Sequence, residues 1–216
     1  LVYNIHFLLI NSLLFIIFRL SLSLNNKKMN GFYKITDQTA NPGPLGLFGF
    51  AMTTILLNIH NAGFFPVNSM IMGMGIFFGG GAQFIAGVME WKKGNDFGSI
   101  AFMSYGAFWL TLVFIWLAPM FGVEKPDGNA MGCYLGMWGL FTLVNFLQTL
   151  KGNTTGKLLF GSLTLLFFLL AAGNFTGSEQ IIHVAGWTGI ICGFIAFYEA
   201  SAIMINKKYE KNILPL

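Results

Sequence analysis

Beyond about residue 40 the chain alternates between long apolar blocks and short polar joints. The blocks fall at Leu45–Ala62, Ser69–Met89, Gly98–Ala118, Met131–Leu150, Lys157–Ala172 and Gln180–Ile205. Blocks of about 20 apolar residues are long enough to cross a hydrocarbon core of about 30 Å. An isolated strand cannot satisfy its backbone in lipid, and barrel strands would alternate in character over about 10 residues, which these blocks do not. Each block therefore predicts a transmembrane helix. The expected fold is an all-α integral membrane protein, a six-transmembrane-helix bundle over 44–205, with short tails at 29–43 and 206–216.

Leu1–Lys28 needs a separate reading. It holds a further apolar run, yet the chain starts at Leu1 and its first methionine is Met29. The segment is read as upstream or mis-assigned sequence outside the fold. A signal peptide and an additional span are the alternatives, the first lacking a basic start and a small-residue cleavage site.

Polar residues inside the blocks recur at helical spacing. In the first block Phe50, Thr54, Asn58 and Asn61 share one face, and in the fourth Trp138, Thr142, Asn145 and Thr149 do. Gly79, Gln83 and Gly87 align in the second, Tyr105 with Trp109 in the third, and His183 with Trp187 in the sixth. Amides and hydroxyls are costly in hydrocarbon unless partnered or hydrated. Such stripes either bond helix to helix, at about 0.6 kcal/mol per pair, or line a wet path. The path is the reading taken for Thr54, Asn58 and Asn61. The glycines of the second block, such as Gly75 and Gly79, predict close helix contact with a neighbour the sequence does not name.

Charge then orients the bundle. Lys27, Lys28 and Lys34 precede the first block, Lys92 and Lys93 follow the second, Lys151 and Lys157 flank the fourth joint, and Lys207, Lys208 and Lys211 follow the sixth. The intervening joints carry Lys125 among Glu124, Asp127 and Glu179. Basic residues on alternate joints predict both termini cytoplasmic. Only 9% of residues are charged against 55% hydrophobic, and mean hydropathy is +0.68; soluble domains carry about 25% charge. The net charge of +4 is thus explained by orientation, without a nucleic-acid partner.

Chemistry is sparse. Cys133 and Cys192 stand alone, with no metal-ligand spacing, and no metal or cofactor is expected. Hydrolase, nucleotide-binding and zincin motifs are absent, so an enzyme is not expected. Glu199 in the inner part of the sixth block and His183 near its outer end are the candidates for proton coupling.

The segment NPGPLGLFGFAMTTILLNIHNAG, from Asn41, resembles the opening signature of the acetate uptake transporter family, the succinate–acetate permeases. The usual motif there is NPAPLGL, with Gly43 in place of alanine here. Further matching stretches are EWKKGNDFGSIAFMSYGAFWLTL, YLGMWGLFTL, SLTLLFFLLAAGN and IIHVAGWTGIICGF. The resemblance implies a six-helix protomer, assembled as a homohexamer with one path per subunit in a bacterial inner membrane. It implies uptake of acetate and also succinate, proton-coupled or, as the alternative, through a passive acetate-selective anion channel. It further implies a hydrophobic constriction of Phe50, Tyr105 and Leu163, with Ala196 tied to selectivity. Around that ring, Thr54, Asn58, Gln83 and Trp109 join the expected substrate path. Asn41 stands at the entrance as a helix cap or a ligand contact.

Overall fold

The chain ends each of its polar joints with a residue able to start a helix, and the structure uses them. Asn68 accepts hydrogen bonds from the N–H groups of Met70 and Ile71, and Asn95, Asp127, Asn153 and Ser178 accept from Gly98, Ala130, Gly156 and Ile181. Each side chain satisfies a donor left free in a first turn. The resulting helices are α1 (Gly43–Asn61), α2 (Ser69–Lys92), α3 (Asp96–Phe121), α4 (Gly128–Thr149), α5 (Thr154–Thr176) and α6 (Glu179–Tyr209). All six are long and apolar enough to cross a membrane. The structure, a computed structural model, describes residues 39–216. The reading of Leu1–Lys28, and most of the proposed 29–43 tail, lie outside them.

All six helices begin at or before the first apolar residue of their block. The last turn of α6 closes at Glu210, the one described non-glycine residue with positive φ (51°). From there the chain folds back. Asn206 donates to Leu214 O (2.7 Å) and accepts from the N–H groups of Ile213 and Leu214 at 2.8 and 2.9 Å. Tyr198 Oη donates to Pro215 O at 2.8 Å. The final residues are thereby strapped along α6.

α1 enters differently. Asn41 Oδ1 accepts the Gly43 N–H at 2.9 Å, Pro42 O accepts the Gly46 N–H, and Pro44 occupies the first turn. Proline costs nothing there, since its missing N–H would have had no intrahelical partner.

Helix pairing follows the glycines. α1 packs chiefly on α6, where Gly186, Gly189 and Gly193 bring the backbone against Ala62, Asn58 and Ile55. α2 packs on α3: a side chain at Gly80 would strike Leu110, and one at Gly79 would strike Trp109. The close partner of the α2 glycines is therefore a helix of the same chain. Within α2, Met74–Ala82 adopts the wider π-helical winding, which the sequence reading did not foresee. α4 packs on α5, and α5 on α6.

Candidate functional site

α1, α3 and α5 start at the same end of the bundle, and there they surround a cavity of about 450 Å³. Its mouth carries Asn41, Asn95 and Asn153, each bonded to the start of its own helix. Asn95 also donates to Glu90 Oε2 at 2.8 Å, and Asn153 donates to Glu199 Oε1 at 3.2 Å. Both carboxylates line the cavity, and Glu90 is buried.

The deepest lining residues are Phe50, Tyr105, Leu163 and Gln83. Phe50 lies seven residues beyond Gly43, and Tyr105 and Leu163 nine beyond Asp96 and Thr154. At 1.5 Å per residue this is roughly 11–14 Å from the helix starts. All three are buried in one apolar cluster, and the Phe50 and Tyr105 rings stand 5.9 Å apart. Phe141 and Phe160 pack on Tyr105 at 5.5 and 6.3 Å, so aromatic contacts from α1, α4 and α5 hold its ring. Its hydroxyl donates to Thr142 Oγ1 at 2.9 Å, and Thr142 donates to Trp138 O at 2.7 Å.

A second cavity of about 560 Å³ opens at the opposite end, lined by residues that include His60, Asn61, Asn174, Glu179 and His183. Between the two lies a buried layer containing Thr54, Asn58, Phe108, Leu112, Leu166 and Phe167. Along α1, Phe50 and His60 are separated by ten residues, roughly 15 Å. Asn58 in this layer donates to Thr54 O at 2.9 Å and accepts from Asn61 at 3.0 Å. Thr54 Oγ1, Gln83 Oε1 and Trp109 Nε1 are buried without a protein partner.

The structure thus brings Asn41, Phe50, Gln83, Tyr105, Leu163 and Glu199 onto one cavity. Thr54 and Asn58 fall in the layer above it. Trp109 and Ala196 are buried but line neither cavity: Trp109 is wedged against the α2 glycines. His183 lines the far cavity but is exposed, and Trp187 is half exposed against Phe64, so that stripe stays out of the buried layer. Glu90, Asn95 and Asn153 were not among the expected site residues. An Asn ahead of an apolar block is visible in the sequence at Asn95 and Asn153, but the Asn153–Glu199 pairing spans 46 residues.

Six helices of spanning length, with a cavity at each end and a buried aromatic layer between them, define a polytopic membrane-protein bundle. The chain belongs to the GPR1/FUN34/yaaH family, whose pattern it matches over residues 26–215. It is 54% identical over 178 residues to the succinate-acetate/proton symporter SatP of Escherichia coli strain K12, covering 82% of this chain and 95% of that protein. It is 40% identical to ammonia transport outward protein 2 of Saccharomyces cerevisiae, over 76% of this chain and 61% of that one. The solved structure of the bacterial acetate channel SatP superimposes with a TM-score of 0.82 at 53% identity, covering 83% of this chain and 99% of the other.

Proposed function

We propose that this protein carries acetate, and also succinate, across a membrane through the path defined by the two cavities, with a proton accompanying the acid. The observation that carries the reading is a polar-mouthed cavity with Phe50, Tyr105 and Leu163 in its lining, and a second cavity about 15 Å further along α1. An apolar ring penalises a bare carboxylate by several kcal/mol and passes the protonated acid far more readily. Both termini are cytoplasmic in this reading, so the asparagine-rimmed cavity faces inward, the membrane is a bacterial inner membrane, and six copies assemble with one path each. Phe50, Tyr105 and Leu163 form the constriction. Asn41 and Gln83 contact the passing acid from the inner cavity, Thr54 and Asn58 do so in the layer above, and Glu199 serves the proton. Trp109 supports the α2–α3 contact, and Ala196 keeps α6 close to the path. The name and the structure of the bacterial relative support carboxylate transport, one naming it a symporter and the other a channel.

The test is labelled-acetate uptake by the full chain in proteoliposomes, with an imposed pH gradient and with succinate as competitor. Uphill accumulation that collapses with the gradient is the expected result. Equilibration without accumulation identifies a passive channel, and flux equal to that of protein-free vesicles refutes transport.

A further inference from the structure

The hydrogen bonds behind the constriction have a fixed polarity. Trp138 O is a carbonyl and can only accept, so the Thr142 hydroxyl spends its proton there at 2.7 Å. Thr142 Oγ1 is then left to accept, and it takes the proton of Tyr105 at 2.9 Å. What remains on the Tyr105 oxygen is lone pairs alone. Phe50, Phe141, Phe160 and Trp138 pack around the Tyr105 ring and keep its oxygen beside Thr142, and turning the O–H away would forfeit that bond. The other two members of the constriction, Phe50 and Leu163, offer no polar atom.

We propose that Thr142 is a positioning residue that sets which form of the acid passes: by holding Tyr105 as a hydrogen-bond acceptor, it admits the neutral carboxylic acid and rejects the carboxylate. This rests on the transport reading above and deepens it. A carboxylic acid donates its O–H to the Tyr105 oxygen, and its proton crosses with it. A carboxylate brings only acceptors to an acceptor, losing its water with nothing in return. Proton coupling then arises at the narrowest point from hydrogen-bond polarity, without a protein group having to titrate there. The titratable groups that line the same cavity are Glu90 on α2 and Glu199 on α6; none of the lining residues from α1, α4 or α5 is ionisable. Cys192, buried on α6, points its thiol to Leu159 O. Both glutamates stay unchanged in the variants below.

Neutral passage moves solute without charge, whereas anion passage moves one charge per molecule. The experiment therefore measures labelled-acetate flux and net charge movement together, on the full chain in proteoliposomes at about pH 5.5 and pH 7.5, acetate being almost wholly ionised at the latter. Protein-free vesicles are subtracted. The wild type is expected to show a charge-to-acetate ratio far below one at both pH values. Thr142→Val removes the acceptor and frees the Tyr105 proton to face the path. Its ratio at the higher pH is expected to rise by about tenfold, the scale of relieving one buried polar mismatch. Thr142→Ser, which keeps the hydroxyl, restores the low ratio. Tyr105→Phe lowers flux and leaves the ratio low, since no donor is created. Should Thr142→Val fail to insert, Thr142→Ala puts the same question. A wild-type ratio near one, or a Thr142→Val ratio equal to that of the wild type while flux persists, overturns the proposal and leaves transport standing. Absence of flux in the wild type overturns both.

Discussion

One amide, that of Asn153, joins two helices: its Oδ1 accepts the Gly156 N–H at 2.8 Å to start α5, and its Nδ2 donates to Glu199 Oε1 on α6 at 3.2 Å. Asn95 repeats the arrangement between the start of α3 and Glu90 at the end of α2. Each capping residue thus also fixes a carboxylate in the wall of the asparagine-rimmed cavity, so helix initiation and cavity electrostatics depend on the same side chain.

The two roles separate by substitution. Asn153→Ala is expected to lower stability by about 1 kcal/mol through the lost cap. Asn153→Ser keeps a capping hydroxyl but has no amide to give Glu199. Thermal unfolding should recover in the serine variant, while any change in acetate flux should persist in both. Equal flux in wild type and both variants would show that the Glu199 contact has no part in transport.

The α1–α6 contact tolerates no side chain at Gly189, where an added Cβ would overlap the Asn58 amide. Gly189→Ala is expected to cost about 1–3 kcal/mol by overpacking. At Gly136 the nearest atom to a new Cβ is Ala171 Cβ at 4.0 Å. There alanine is expected to stabilise α4 by up to about 1 kcal/mol through helix propensity. Melting temperatures of the purified variants, compared side by side, should move in opposite directions.

If Phe50 and Leu163 close the asparagine-rimmed cavity, shortening either opens it. Phe50→Ala and Leu163→Ala are each expected to raise uptake of acids larger than acetate, relative to acetate, by about tenfold, the worth of a methylene or two in an apolar constriction. Competition assays with dicarboxylates and branched monocarboxylates measure this. An unaltered substrate range in both variants would remove these residues from the constriction.

Asn206 makes three of the hydrogen bonds that hold the C-terminal strap, and Tyr198 makes another. Asn206→Ala removes the acceptor for the Ile213 and Leu214 amides, and hydrogen exchange at those two positions should accelerate by at least about tenfold, as opening becomes local. Exchange within α6 upstream of Asn206 should stay slow. Protection of Ile213 and Leu214 retained in the variant would mean that Tyr198 and packing hold the tail alone.

How much of this was legible in the sequence differs by level. The six spans were, because membrane helices must be apolar over a fixed length whatever their neighbours. Most boundaries shifted outward by a few residues, since polar terminal turns carry no hydropathy signal. Phe50 and Tyr105 were reachable through helical spacing and family resemblance together. The exposure of His183 and Trp187 was not, because periodicity places residues on a face without saying what that face meets. Nor was the π-helical winding of Met74–Ala82, whose glycines read equally well as an ordinary close-packing stripe.

The sequence by itself determined the class of fold, the starts of most helices and the rows of polar residues, since each follows from interactions within about a turn of chain or with the surrounding lipid. Only the tertiary structure decided that Tyr105 gives its proton to Thr142, 37 residues away, and that Glu90 and Glu199 share one cavity wall. Those relationships depend on which helices pair and at what depth. That pairing is set by backbone approach at glycines such as Gly79, Gly80 and Gly189, where the absence of a side chain acts on a distant neighbour.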